Sequence, residues 1–174
     1  EGRRRVIVEA SRSELPATRR AHTVVIGSGA GGAVVAHTLA AAGVETVVLE
    51  EGGLFRAADM SQREDRMLPA LYRDSGQQMT SDGLVNVLQG SCYGGSTVVN
   101  AADCEPTPPE VYAHWRLHHA IEGIDEHTLA ESQRRVEERL GVGPIAPEQV
   151  NRNNSLLLAG AAALGWRAGL FRHN

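Results

Sequence analysis

The chain has 174 residues, 42% of them hydrophobic, which is enough for one domain with a sizeable core and small for a two-domain enzyme. Its 17 Lys+Arg against 21 Asp+Glu give a formal charge of -4, and the basic residues are scattered apart from the run at Arg3, Arg4 and Arg5, so no field recruits a nucleic acid or other polyanion. No apolar run approaches the roughly 20 residues of a membrane span, and two cysteines, Cys92 and Cys104, make no disulfide framework. A soluble chain is expected, with a reducing, cytoplasmic setting favoured.

The chain opens on Glu1 with no charged-then-apolar leader behind it, so its start is expected to have been cut or processed. RVIVEA (residues 5–10) reads as a short strand or arm, and SRSELPATRR (11–20) as polar and turn-like. Residues 1–20 are therefore expected to form an N-terminal arm. The main fold begins near Ala21. HTVVIG (22–27) carries the continuous run Val24, Val25, Ile26, which fits a strand buried on both faces, as in a parallel sheet. AGGAVVAHTLAAAG (30–43) supplies a helix, Ala-rich and free of proline, closed by Gly43 where a left-handed residue is wanted. ETVVLE (45–50) is again apolar and β-branched. Strand, helix and strand make one βαβ unit with a right-handed crossover and parallel strands.

The glycines of VVIGSGAGGAVV (24–35) fall in the spacing G-x-G-x-x-G at Gly27, Gly29 and Gly32, with Ser28 between the first two. The first glycine permits the tight turn out of the strand. The second removes a side chain where a pyrophosphate must approach, and the third lets helix and strand pack closely. Phosphate then sits on the helix N-terminus, where unpaired amides and the helix dipole favour an anion without any basic side chain. Glu50 ends the second strand at the offset from Gly27 where an acid receives a ribose 2′-hydroxyl, roughly 20 residues on in this fold, and would repel a 2′-phosphate. The pattern reads as a dinucleotide site. By itself it does not choose between NAD and FAD.

A second glycine-rich stretch, LQGSCYGGSTVVNAADCEPTPPEVYAHW (88–115), adds a second signal. Gly90, Gly94 and Gly95 make it pliant, Ser96 and Thr97 add hydroxyls, and Asn100 offers both a donor and an acceptor after Val98 and Val99. Such a loop can lie flat against a planar ligand. The sequence here resembles the glucose-methanol-choline (GMC) flavin oxidoreductases. GGSTVVN is similar to their flavin-side signature and VVIGSGAGG followed by VVLEEGG to their ADP-side one, in that order, with LYRDSGQQMTSDGLVNVLQG between them. Within that family it looks closest to the branch that contains long-chain alcohol oxidases.

The resemblance implies an α/β fold: a Rossmann-like FAD-binding βαβ domain over residues 21–104, incomplete at its C-terminal side, with an appended helical segment over 105–174 leading toward a missing substrate domain. It implies FAD as the cofactor, with Gly27, Ser28, Gly29 and Gly32 at the pyrophosphate, Glu50 at the adenosine ribose, and Gly94, Gly95, Ser96 and Asn100 at the ring and its side chain. Two positions depart from the family pattern: Ser91 where a basic, Asn or Cys residue is common, and Tyr93 where a small aliphatic one is usual. Val99 stands where members with covalent flavin carry histidine, so non-covalent FAD is expected. The family's substrate-facing base, a His with a second His or Asn, belongs to a C-terminal part. His173 does not match its context, and no catalytic residue is assigned within the chain.

The remaining features have plainer readings. His114 and His118 fall four apart in HWRLHH but lack a third ligand, so a surface pair is expected and no metal. Cys92 and Cys104 read as small apolar fillers. ESQRRVEERLGVG (131–143) fits a solvated amphipathic helix ended by Gly141, and NRNNSLLLAGAAALGW (151–166) another helix, with Leu156, Leu157 and Leu158 in the core. The expected function is the FAD-binding portion of an enzyme that oxidises an alcohol by hydride transfer to flavin N5, not catalytic alone, its partners the alcohol and the missing C-terminal portion or a complementary chain. The alternatives are a non-redox flavin protein or lyase on the same scaffold, and a truncated nicotinamide- or dinucleotide-binding remnant.

Overall fold

The computed structural model describes residues 7–10 and 18–174, which fall into two compact units divided between Val99 and Asn100. Of the expected arm, residues 1–6 and 11–17 lie outside the described residues, and residues 7–10 form no strand. Among the described residues no helix is long and apolar enough to cross a membrane.

The first unit is built on the βαβ element. β1 (Thr23–Ile26) and β2 (Thr46–Leu49) pair in parallel with Val25 opposite Val48, and α1 (Ala30–Ala41) connects them and packs on both. α1 stops at Gly43, whose φ of 77° is open to glycine at little cost. There the Gly43 amide donates to Ala40 O at 3.1 Å and the Val44 amide to Leu39 O at 3.0 Å, the paired bonds of a Schellman ending. The expectation of a strand buried on both faces is corrected. Val25 is 8% exposed, whereas Ile26 is 86% and Val24 50% exposed, so burial alternates along β1. A two-stranded sheet with one helix on it has one covered face. α2 (Glu64–Leu71) follows, and Leu71 at its end is buried.

In the second unit, α3 (Pro109–His119), α4 (Glu126–Leu140) and α5 (Arg152–Ala163) accompany a two-residue antiparallel ladder of β3 (Gly143–Pro144) and β4 (Arg172–His173). The helices begin and end by local chemistry. Asp125 accepts from the Thr128 amide at 2.6 Å and Asn151 from the Asn154 amide at 2.9 Å, capping α4 and α5. Gly141 and Gly165, both at positive φ, close them, the first as the sequence predicts. Tyr112 is buried on α3 and donates its hydroxyl to Ile124 O at 2.7 Å. Arg172 on β4 grips Glu137 on α4 through two bonds of 2.9 and 2.7 Å. The assignment of the 156–158 run to the core is corrected: Leu156 and Leu157 are exposed on α5, because an Ala-rich helix has no single dominant apolar face and these two point to solvent.

Candidate functional site

β1 delivers the chain to Gly27, which turns at a φ of 86° while its amide still reaches Leu49 O at 2.7 Å, the last rung of the sheet. α1 starts three residues later. Its cap position is Gly29, with extended backbone and no side-chain capping bond, and its first turn carries no acid. The helix therefore begins with backbone amides that no side chain claims, at the positive end of its dipole. A Cβ built on Gly29 meets nothing within 4 Å, so the space in front of that turn is open. A Cβ on Gly32 would instead run into the Gly27 carbonyl and press on Val25. The second and third glycines thus differ in their surroundings: one faces open space, the other lets the helix settle on the turn.

Glu50 follows β2 directly. One carboxylate oxygen, Oε2, accepts from the Ser28 amide at 2.8 Å and the Ser28 hydroxyl at 2.6 Å, and the other, Oε1, accepts from the Gly52 amide at 2.8 Å. Burial pushes its carboxyl up, but the bonds from the Ser28 hydroxyl and from the Gly52 and Ser28 amides together outweigh it and hold the group below the usual carboxylate range. Ionised Glu50 has about four lone-pair positions, and three are occupied by these donors, leaving room to accept from a hydroxyl. Amides for an anion, open space at Gly29 and an ionised acceptor beside them fit the ADP half of FAD.

The second glycine loop reaches this place through backbone. The Gly94 amide donates to the Ser28 hydroxyl at 2.7 Å, across 66 positions of sequence. A Cβ on Gly95 would stand 3.1 Å from Gly29 Cα, so the two glycine loops touch main chain to main chain. Gly94 itself sits at a φ of 100°, followed by a tight 3-10 turn over Gly95–Thr97. Ser96 accepts from the Gly90 amide at 3.0 Å, and the Thr97 hydroxyl donates to Gly94 O at 2.6 Å, folding the loop back on itself. Beneath it, Cys92 is 1% exposed, in a parallel bridge with Gly53, while the Tyr93 amide donates to Gly53 O at 2.9 Å.

The structure thus brings together Gly27, Ser28, Gly29, Gly32, Glu50, Gly94, Gly95 and Ser96. Asn100 opens the second unit, where its carboxamide oxygen accepts from the Ala102 amide at 2.6 Å. Gly52 was not singled out by its sequence position, although it lies within the VVLEEGG stretch. Its amide holds Glu50, and a Cβ there would collide with the backbone of Cys92. Cys92 behaves as packing: burial first, and the Glu50 charge second, push its thiol up, so it stays protonated. On α3, the His114 ring centroid lies 4.5 Å from that of His118, with the rings tilted, and 5.4 Å from that of His119, edge to face. Among the described residues no group of three or more His, Cys, Asp or Glu is arranged to hold a metal ion.

The GMC oxidoreductase family model matches residues 68–174. An uncharacterized GMC-type oxidoreductase of Mycobacterium tuberculosis is 38% identical over 165 residues, covering 93% of this chain and 26% of that protein. A long-chain-alcohol oxidase of Arabidopsis thaliana is 34% identical over 145 residues, 82% of this chain and 19% of that one. A third relative, an uncharacterized GMC-type oxidoreductase of Sinorhizobium fredii, is 32% identical over 148 residues, 84% of the chain and 29% of its own length. The chain therefore spans 26%, 19% and 29% of the length of these three relatives, well under half of each. With a family match over residues 68–174 and a βαβ glycine site ahead of it, the chain belongs to the GMC oxidoreductases, a family with an FAD-binding, Rossmann-like N-terminal domain.

Proposed function

We propose that this chain is the FAD-binding portion of a GMC-type oxidoreductase acting on the CH–OH group of an alcohol. The observation that carries the reading is the meeting of the two glycine loops at Ser28, in front of the open first turn of α1. In this reading residues 21–104 supply the FAD-binding part and 105–174 a helical segment that continues toward the substrate-binding part. The amides at the start of α1 hold the pyrophosphate, which the Gly27–Gly29 turn lets approach, and Glu50 accepts from the adenosine ribose. Gly94, Gly95 and Ser96 lie along the ring and its side chain.

FAD, when bound, supplies a hydride acceptor at flavin N5. The chain's own residues bind and orient. Carboxylate and main-chain groups are held by hydrogen bonds within the protein, so little reorganisation is needed when the cofactor arrives. With Val99 at the position of the covalent anchor, attachment is non-covalent, and acid precipitation should leave all flavin in the supernatant. None of the seven histidines is assigned as the base that takes the alcohol proton; in this reading it comes from polypeptide outside these residues. A long-chain alcohol is the substrate class favoured by the similarity to long-chain-alcohol oxidases.

The test is a flavin titration followed by anaerobic addition of alcohol, with the chain alone and with the remaining part of a GMC protein co-expressed. FAD binding and alcohol-dependent bleaching of the flavin in the complemented sample are expected. Binding without bleaching by any alcohol would favour a non-redox flavin protein. Alcohol oxidation by the 174 residues alone would require a base among His114, His118, His119 and His127.

A further inference from the structure

Ser28, in the first glycine loop, bonds the second through its hydroxyl, which also reaches Glu50 and has no choice of direction. A carboxylate only accepts and a backbone amide only donates. The Gly94 amide must therefore give its hydrogen to Ser28 Oγ, at 2.7 Å, and Ser28 must give its own to Glu50 Oε2, at 2.6 Å. The residue is 6% exposed, so water cannot easily replace either bond. Bonds in such a chain polarise one another, most strongly when one end is charged.

We propose that Ser28 is a positioning residue that couples Glu50 to the Gly94–Gly95 loop, so that the adenosine-side and flavin-side halves of the site become ordered together. Its hydroxyl is spent inside the protein and does not serve the phosphates. Engagement of Glu50 is transmitted through one oxygen to the amide of Gly94. The loop beyond that amide is placed with it, because Thr97 closes on Gly94 O at 2.6 Å and Gly95 lies against Gly29. The functional consequence rests on the reading of Glu50 as the ribose acceptor; the coupling itself does not.

Amide hydrogen exchange of Gly94, measured on the complete chain by nitrogen-15 spectroscopy, reports the coupling directly, with the core residue Val25 as a control for global unfolding. Ser28→Ala strands the Gly94 amide and should raise its exchange roughly tenfold while Val25 is unchanged. Glu50→Gln should raise Gly94 exchange in the same sense by less, although residue 50 makes no hydrogen bond to Gly94, and it carries the test if Ser28→Ala does not fold. FAD affinity is measured in parallel by quenching of flavin fluorescence. Weaker FAD binding by Glu50→Gln with Gly94 exchange unchanged would overturn the coupling and leave the ribose reading standing. Faster Gly94 exchange with unchanged FAD affinity would support the coupling and remove the ribose reading.

Discussion

The two units satisfy their polar groups in opposite ways. In the second, α4 and α5 are closed by residues beside them: Asp125 and Asn151 each cap an amide three positions on, and Gly141 and Gly165 turn the ends. In the first, the site is closed by partners far apart in the chain, Glu50 reaching back 22 positions to Ser28 and Gly94 reaching back 66. Local closure makes a helix that tolerates change one residue at a time. Long-range closure makes a site in which one atom, Ser28 Oγ, lies between two loops, and its loss is felt by both.

Gly32 is where that contrast should be sharpest. In a helix interior alanine is favoured over glycine by about 1 kcal/mol. At Gly32 the added Cβ would enter the Gly27 carbonyl, and backbone has no rotamer by which to yield. Overpacking of this kind costs about 1–3 kcal/mol, and a main-chain collision belongs at the upper end. Gly32→Ala should lower the melting temperature and abolish FAD binding together. Gly29→Ala, with nothing within 4 Å of its Cβ, should leave melting unchanged and reduce FAD binding alone, and Gly29→Val should reduce it further. Equal melting losses in both alanine variants would erase the distinction between the packing glycine and the ligand glycine.

Next in size is Glu50. Glu50→Ala leaves three donors without their acceptor, but the carboxylate is only half-buried and water takes over much of each bond, so the loss stays below that of the main-chain collision at Gly32. FAD affinity should fall by more than for Glu50→Asp in a titration. The pH dependence has a definite sign. The folded carboxyl lies below its ordinary range, so its contribution to stability is complete above that range and is lost as pH falls through the lowered value. The melting difference between the wild type and Glu50→Gln should therefore shrink on acidification. Cys92 stays protonated throughout and does not reverse the trend.

The same contrast governs what the sequence made legible. The Gly43 stop and the strand at Val24–Ile26 are local signals, and both are found in the fold; the acid at position 50 follows β2 and bonds to Ser28 and Gly52. Ser28 reads from the resemblance as a cofactor-side residue, and the two partners of its hydroxyl, Glu50 and Gly94, are too distant in sequence to be read from the motif. The apolar run in β1 announced a strand but could not say which neighbours cover it, hence the exposed Ile26. The ladder of Gly143–Pro144 with Arg172–His173 has no strand-like composition at all. It is held by a side chain, Arg172 on Glu137, and by the Cys104 amide donating to Arg172 O at 2.9 Å.

Local closure in the second unit predicts smaller and independent losses. Asn151→Ala removes the cap of α5 and should cost about 1 kcal/mol, read by chemical denaturation, with FAD affinity unchanged. Asp125→Ala should act in the same direction on α4, and its loss should diminish on acidification because the bond from the Thr128 amide holds that carboxyl low. A matched fall in FAD affinity would tie helix capping to the site and undo the contrast.

The smallest effect is expected at the Glu137–Arg172 pair, although its geometry is the best of any ion pair in the second unit. Two parallel bonds of 2.9 and 2.7 Å fix the guanidinium against the carboxylate, and the bond from Arg172 holds the Glu137 carboxyl below its usual range. Both side chains nevertheless remain open to water, at 34% and 24% exposure, so solvent screens the attraction and the ordering of two long side chains opposes it. Glu137→Gln keeps the shape and removes the charge. It should lower stability less than Asn151→Ala does, and the difference from wild type should shrink as salt is raised, since a Debye length of about 10 Å at 0.1 M falls to about 3 Å at 1 M. Denaturant midpoints at low and high salt decide the matter. A loss larger than that of Asn151→Ala, and insensitive to salt, would mean that the β3–β4 ladder depends on this one pair, and that long-range closure operates in the second unit as it does at Ser28.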